Sequence, residues 1–212
     1  KYIANAVDIP VVCDADTGYG NPLNVQRTVR EYESAGVAGI HIEDQLFPKK
    51  CGFFQGKQVI PRDEMVQKVH AALDARIDDA FVIIARCDAY AVNGWEDTVD
   101  RCQAYSQAGA DMVFVDGINT VDDLNLYASD LAGLPRMYNG DLLPTQEVAA
   151  LGYKLMICGS TPWLIYKQVK EAYEELRDKG RVDPSRYATR FDVAGLLGLD
   201  DIYELEQRYG AQ

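Results

Sequence analysis

Histidine is scarce in this sequence: His41 and His70 are the only two in 212 residues. No CxxC pair accompanies them, so a structural zinc site is not expected. The five cysteines, Cys13, Cys51, Cys87, Cys102 and Cys158, are odd in number and scattered, which reads as reduced thiols and favours the cytoplasm over an oxidising compartment. Positive charge is short as well. With 21 Lys and Arg against 33 Asp and Glu, the formal net charge is -12, and nucleic acid drops out as a default partner. No apolar run approaches the roughly 18 to 20 residues that a membrane helix needs, and the opening "KYIANAVDIP" lacks the basic-then-apolar order of a signal peptide. What is present, 48% hydrophobic and 25% charged residues, is the composition of an ordinary soluble domain, so cations and small ligands are the expected partners.

Short apolar, β-branched runs occur at 10–14, 38–43, 81–86, 111–116, 135–139 and 153–158. Between them, 22–35, 62–76, 95–108, 120–132, 145–151 and 162–179 carry helical spacing. Buried strands alternating with amphipathic helices predict a parallel sheet covered by helices. The phrases "AGVAGI", "AGADMV" and "ALGYKL" put small residues and a glycine where each helix ends and the next strand begins. The pattern is that of a (β/α)8 TIM barrel with about six strands in this chain, the N-terminal βα units missing. We expect the barrel over 1–180 and a helical tail over 181–212, with a short helix near 200–209.

Chemistry concentrates at the strand ends. In "VVCDADTGYGN", strand alternation would put Asp14 and Asp16 on one face. Two carboxylates ~5 Å apart repel by about 3 kcal/mol at an effective dielectric near 20, and a divalent cation reverses that sign. Glu43 closes the second run, Arg86 and Asp88 flank the end of the third, Asp116 closes the fourth and Asn139 the fifth. Oxygen ligands converging on one barrel mouth suit a hard cation, magnesium or manganese. The glycines of "TGYG" do not make a dinucleotide fingerprint, because no third glycine or later acid completes it.

In "EDQLFPKKCGFFQGKQVIPRDE", Cys51 stands beside Lys49 and Lys50, with Gly52 and Gly56 giving the backbone freedom to close over a ligand. Neighbouring ammonium groups favour a thiolate, so Cys51 is read as reactive. Cys13, Cys102 and Cys158 are read as structural, Cys87 as packing, and both histidines as core or surface residues.

Together "DADTGYGN", "GIHIEDQ", "PKKCG", "GKQVIP" and "IIARCDA" resemble the isocitrate lyase and phosphoenolpyruvate mutase superfamily over residues 8 to 180, and its short members most of all, among them 2-methylisocitrate lyase, dimethylmalate lyase and carboxyphosphonoenolpyruvate phosphonomutase. The resemblance implies a barrel that binds Mg2+ (Mn2+ being the alternative) near Asp14, Asp16 and Glu43, partly through water. It implies Cys51 as the acid/base on a gating loop, with Lys49 beside it and Arg86 holding a substrate carboxylate. Tyr19, Lys50, Gly52, Asp116 and Asn139 fall in the substrate-binding set. The K-K-C-G loop favours a lyase that cleaves a C–C bond in a small 2-hydroxy or 2-oxo di- or tricarboxylate. The alternatives are a phosphonomutase, an oxaloacetate hydrolase or decarboxylase, and an inactive metal- or ligand-binding homologue. Two departures from the family pattern are Phe53, where lyases have histidine, and the rewritten segment "NGDLLPT" from Asn139. The resemblance further implies a homotetramer in which the tail is exchanged between subunits.

Overall fold

The apolar runs become six strands, β1 (Val12–Asp14), β2 (Gly39–Glu43), β3 (Val82–Cys87), β4 (Met112–Val115), β5 (Arg136–Asn139) and β6 (Leu155–Ile157). They form one sheet in sequential order, parallel at every pairing. This arrangement, a computed structural model, describes residues 1–52 and 54–210, and Phe53 lies outside them. The helices are α1 (Tyr2–Asn5), α2 (Pro22–Ser34), α3 (Arg62–Ala75), α4 (Tyr90–Asn93), α5 (Trp95–Gln107), α6 (Val121–Asp130), α7 (Thr145–Ala150), α8 (Thr161–Lys179), α9 (Arg190–Leu196) and α10 (Leu199–Tyr209). Lys1–Ser160 and Thr161–Gln212 are two compact units.

Alternation along the strands sorts their side chains into two layers. Ile40, Ile42, Ile83, Ala85, Val113 and Val115 pack with Val25, Val29, Met65, Val69, Cys102, Tyr105 and Tyr127 from the helices. Ile84, Phe114 and Met137 form a separate cluster on the opposite face, with Leu155 and Ile157 against it. All five residues of β2 are buried, as a strand covered on both faces requires. Six sequential parallel strands with this second, inner cluster are a curled part of a TIM barrel, as the sequence predicts.

The register lines up the functional face. Asp14 pairs with His41, and Glu43 pairs with Arg86, which in turn pairs with Phe114. Charged residues at the carboxyl ends of β1, β2 and β3 therefore share one end of the sheet, where sites of this architecture lie.

Helix ends follow their capping chemistry. Asn21 caps α2 by accepting from the amides of Leu23 and Asn24, while Asn24 reaches back to the Asn21 amide. That cap ends the "DADTGYGN" turn and sets where the turn sits over β1. Two expectations are corrected. Asp14 and Asp16 do not share a strand face, because β1 stops at Asp14 and Asp16 turns out of it with φ 48. Cys158 is exposed, since β6 ends one residue before it.

Candidate active site

Lys49 organises the acidic half of the mouth. Its ammonium lies 2.6 Å from Asp16 Oδ1, 3.8 Å from Asp14 Oδ2 and 3.8 Å from Glu43 Oε1. The turn places Asp16 there: the Asp14 carboxylate accepts the Asp16 amide at 2.8 Å, and the Glu43 amide donates to the Asp16 carbonyl at 2.8 Å. A sharp bend thus achieves what a shared strand face would have achieved. Lys49 is engaged by these acids, and Lys50 Nζ donates to the carbonyls of Gln55 and Gly56, at 3.4 and 3.0 Å.

Glu43 is fully buried, with neither carboxylate oxygen hydrogen-bonded. Burial pushes it up to about 7, against the pull of Arg86 and Lys49. Beside it His41, edge-on to Phe114, has an unpartnered Nδ1 3.6 Å from Asp14 Oδ1. Burial lowers the His41 pKa, which keeps the ring neutral at physiological pH.

These observations test the fit to a divalent cation. Three carboxylates already converge on one positive charge, and one of them, Glu43, is buried with no hydrogen bond to either oxygen, Arg86 Nη1 lying 3.4 Å from Oε2. Among the described residues, no three Asp, Glu, His or Cys side chains stand close enough to ligate one ion directly. The donor set therefore fits a hard, partly hydrated cation, which takes oxygen ligands and keeps several waters.

The other half of the mouth is a knot of two cations and two acids. Arg86 Nε donates to Asp88 Oδ2 at 2.8 Å and Nη2 to Asp88 Oδ1 at 3.0 Å, a bidentate fork. Arg86 Nη2 also lies 3.2 Å from Asp116 Oδ1, and Lys57 Nζ bridges Asp88 Oδ1 at 3.1 Å and Asp116 Oδ2 at 2.9 Å. Burial opposes the Asp88 carboxylate, yet Arg86 and Lys57 hold its pKa below the ordinary carboxylate value. Burial likewise disfavours the Lys57 ammonium, and Asp88 with Asp116 outweighs that and raises its pKa. Both groups remain charged at neutral pH. Beneath, Asp44 accepts the Asp88 amide at 2.8 Å, the Tyr105 hydroxyl at 2.7 Å and Arg101 Nη1 at 3.2 Å.

The cysteine loop leaves β2 and closes through an isolated antiparallel bridge between Gln45 and Val59, just beyond the end of that strand. Cys51 is exposed on it. A Cβ added at Gly52 would overlap the Asp116 carboxylate, so the main chain next to Cys51 lies on the acid that Arg86 and Lys57 hold. Tyr19, at φ 60, turns toward α2, its hydroxyl 2.9 Å from that of Tyr32. Asn139 is exposed at the end of β5, its Oδ1 facing Gly159.

Asp14, Asp16, Glu43 and Lys49 thus meet in one group, and Arg86 with Asp116 in an adjoining one. Lys57, Gln45 and Asp44 were missed by reading side chains at strand ends. Their only signal lay in "EDQ" and "GKQVIP", where they stand among residues that carry no periodicity.

A curled parallel sheet with charge gathered at its carboxyl-end mouth, and a glycine-bounded cysteine loop over it, defines a barrel-mouth ligand site. The chain belongs to the phosphoenolpyruvate phosphomutase family, whose model matches residues 1–177. It is 37% identical to the 2,3-dimethylmalate lyase of Eubacterium barkeri over 98% of this chain and 74% of that one. It is 38% identical to the 2-methylisocitrate lyase of Aeropyrum pernix over 95% of this chain and 67% of that one. Among solved structures, an oxaloacetate acetylhydrolase bound to the inhibitor 3,3-difluorooxalacetate superposes with a TM-score of 0.89, at 34% identity, covering 99% of this chain and 74% of that one. A phosphonopyruvate hydrolase in complex with oxalate and Mg++ gives 0.87 at 30% identity, covering 98% and 75%. The chain spans 61 to 74% of the length of the first curated relatives it matches. No described helix is long and apolar enough to cross a membrane.

Proposed function

We propose that the protein is a magnesium-dependent carbon–carbon lyase that cleaves a small 2-hydroxy or 2-oxo di- or tricarboxylate, of the dimethylmalate or methylisocitrate kind. The observation that supports this reading is the packing of Gly52 on Asp116, which brings the main chain next to Cys51 onto an acid that Arg86 also contacts. Dimethylmalate lyase and methylisocitrate lyase stand among its relatives, and structural neighbours hold oxalate or difluorooxalacetate.

Cleavage of a 2-hydroxy acid sends the electron pair of the C–C bond onto the carboxylate-bearing fragment as the hydroxyl proton passes to water and a C=O forms on the other fragment. Arg86, charged and buried, offers planar guanidinium donors to a substrate carboxylate. Exchanging the Asp88 and Asp116 contacts for that carboxylate would also bring substrate charge to the mouth where Lys57 lies. Cys51 Sγ–H delivers the proton that quenches the carbanionic carbon, and the same thiolate withdraws it in the condensation direction. Asp14, Asp16 and Glu43, which share the Lys49 ammonium here, would hold the magnesium partly through water. When bound, the metal supplies positive charge for the oxygens on which negative charge develops. Tyr19, Lys50 and Asn139 complete the proposed substrate contacts, and manganese is the proposed alternative metal.

A magnesium-supplemented panel of 2-hydroxy and 2-oxo acids, read by release of a 2-oxo acid, tests the activity. Cys51→Ala should abolish turnover while leaving magnesium binding unchanged. Full activity in that variant would sink the proton-donor assignment. Release of oxalate from oxaloacetate, or a rearranged phosphonate by phosphorus NMR, would replace the lyase with a hydrolase or a mutase. The proposal extends to a cytoplasmic homotetramer exchanging its 181–212 tail, supported by exposed Phe191, Leu196, Leu197 and Tyr209 on that tail. A monomeric mass by light scattering at micromolar concentration would remove it.

A further inference from the structure

We propose that Gln45 is a positioning residue for the Cys51 loop: its carboxamide latches the loop's main chain at Lys50 onto the buried carboxylate of Asp88. Gln45 is 1% exposed and uses both ends of its side chain. Its Oε1 accepts the Lys50 amide at 3.0 Å, and its Nε2 donates to the Lys50 carbonyl at 3.0 Å and to Asp88 Oδ1 at 3.0 Å. A side chain that pairs with both the N–H and the C=O of one residue fixes that residue's position and its orientation. Lys50 is the residue immediately before Cys51, so the latch acts on the peptide unit that carries the thiol.

The chemistry demands glutamine. Glutamate would keep the acceptor for the Lys50 amide but offer no donor to the Lys50 carbonyl or to Asp88, and would set two carboxylates together in a buried place. Asparagine is one methylene shorter. Leu or Met would fill the space and make none of the three bonds. The anchor is equally specific. Asp88 Oδ1 also takes Lys57 Nζ at 3.1 Å and Arg86 Nη2 at 3.0 Å. Lys57 lies at the returning end of the same loop, so both of its roots converge on one oxygen, and that oxygen also grips the arginine assigned to the substrate carboxylate. Displacing Arg86 toward a ligand redistributes the donors on Asp88 and is felt at Lys50. In this way the latch couples an occupied carboxylate site to the placement of the thiol. The coupling rests on the function proposed for Arg86 and Cys51, whereas the latch itself rests only on the contacts of Gln45.

Hydrogen exchange read by mass spectrometry on the full chain tests the latch without any substrate. In Gln45→Met and Gln45→Glu, peptides covering 46–56 should exchange at least about tenfold faster, a change of about 1.4 kcal/mol in opening free energy. Peptides from β3 and β4 should exchange as in the wild type, which also shows that each variant folds. Loop exchange within twofold of the wild type in a folded variant would overturn the proposal, and the two variants guard against one failing to fold. For any acid the wild type turns over, kcat should fall about tenfold with KM within twofold. A change in KM alone would overturn the positioning of the thiol. If no acid is turned over, the lyase reading fails while the exchange result still decides the latch.

Discussion

Glu43 makes the folding stability of the metal-free protein depend on pH in an unusual direction. Its carboxyl is fully buried without a hydrogen bond, and its folded pKa is about 7 against an ordinary 4.5. Between those values the unfolded chain has released the proton and the folded chain still holds it, so stability falls as pH rises. From pH 5.5 to 7 the interval is 1.5 units, and at 1.36 kcal/mol per unit the loss is roughly 2 kcal/mol. Above about pH 7 the Glu43 contribution levels off, because both states are then ionised. Glu43→Gln cannot ionise, so its stability should lack this component, whatever constant offset the buried amide brings. Urea unfolding in EDTA at pH 5.5 and 7.5, on wild type and variant, measures the difference of the two pH dependences directly. Parallel profiles would refute a buried, unsatisfied Glu43. Magnesium added at pH 7.5 should stabilise the wild type more than the variant, because a bound cation favours the ionised carboxylate.

Lys57→Met removes one of the two cations on Asp88 and leaves Arg86 as the only cation on that buried acid. Unfolding free energy should drop by about 3 to 5 kcal/mol, and a loss below about 1 kcal/mol in urea titrations would show that Lys57 is dispensable there. Lys49→Met should tighten magnesium binding about tenfold by calorimetry, because the ammonium now competes for the three carboxylates. Unchanged or weaker binding would show that Lys49 is not the stand-in for the cation.

The six strands were legible because each is a short β-branched run between helical periods, and their parallel order follows from that alternation. Acids and an arginine at strand ends could be named before the structure for the same reason: Glu43 and Arg86 stand where a strand's last residues must point into the mouth. Asp14 was legible in place, but Asp16 was assigned to the wrong geometry, since sequence alternation cannot show a strand stopping after Val12–Asp14. Adjacency along the chain could not show that Lys49 stands among three carboxylates, because the fold brings Asp14, Asp16 and Glu43 to it.

By itself, then, the sequence determined the class of fold, the end of the sheet that carries the chemistry, and the family whose motifs it shares. Those properties are local: period, turn residues and runs of residue type. Only the tertiary structure decided which charges pair. Lys57 reaches Asp88 across 31 positions and Asp116 across 59, and Gln45 reaches Asp88 across 43. No periodicity links residues at such separations. Their pairing comes from the curl of the sheet, which brings the ends of β2, β3 and β4 and both roots of the Cys51 loop to one buried carboxylate.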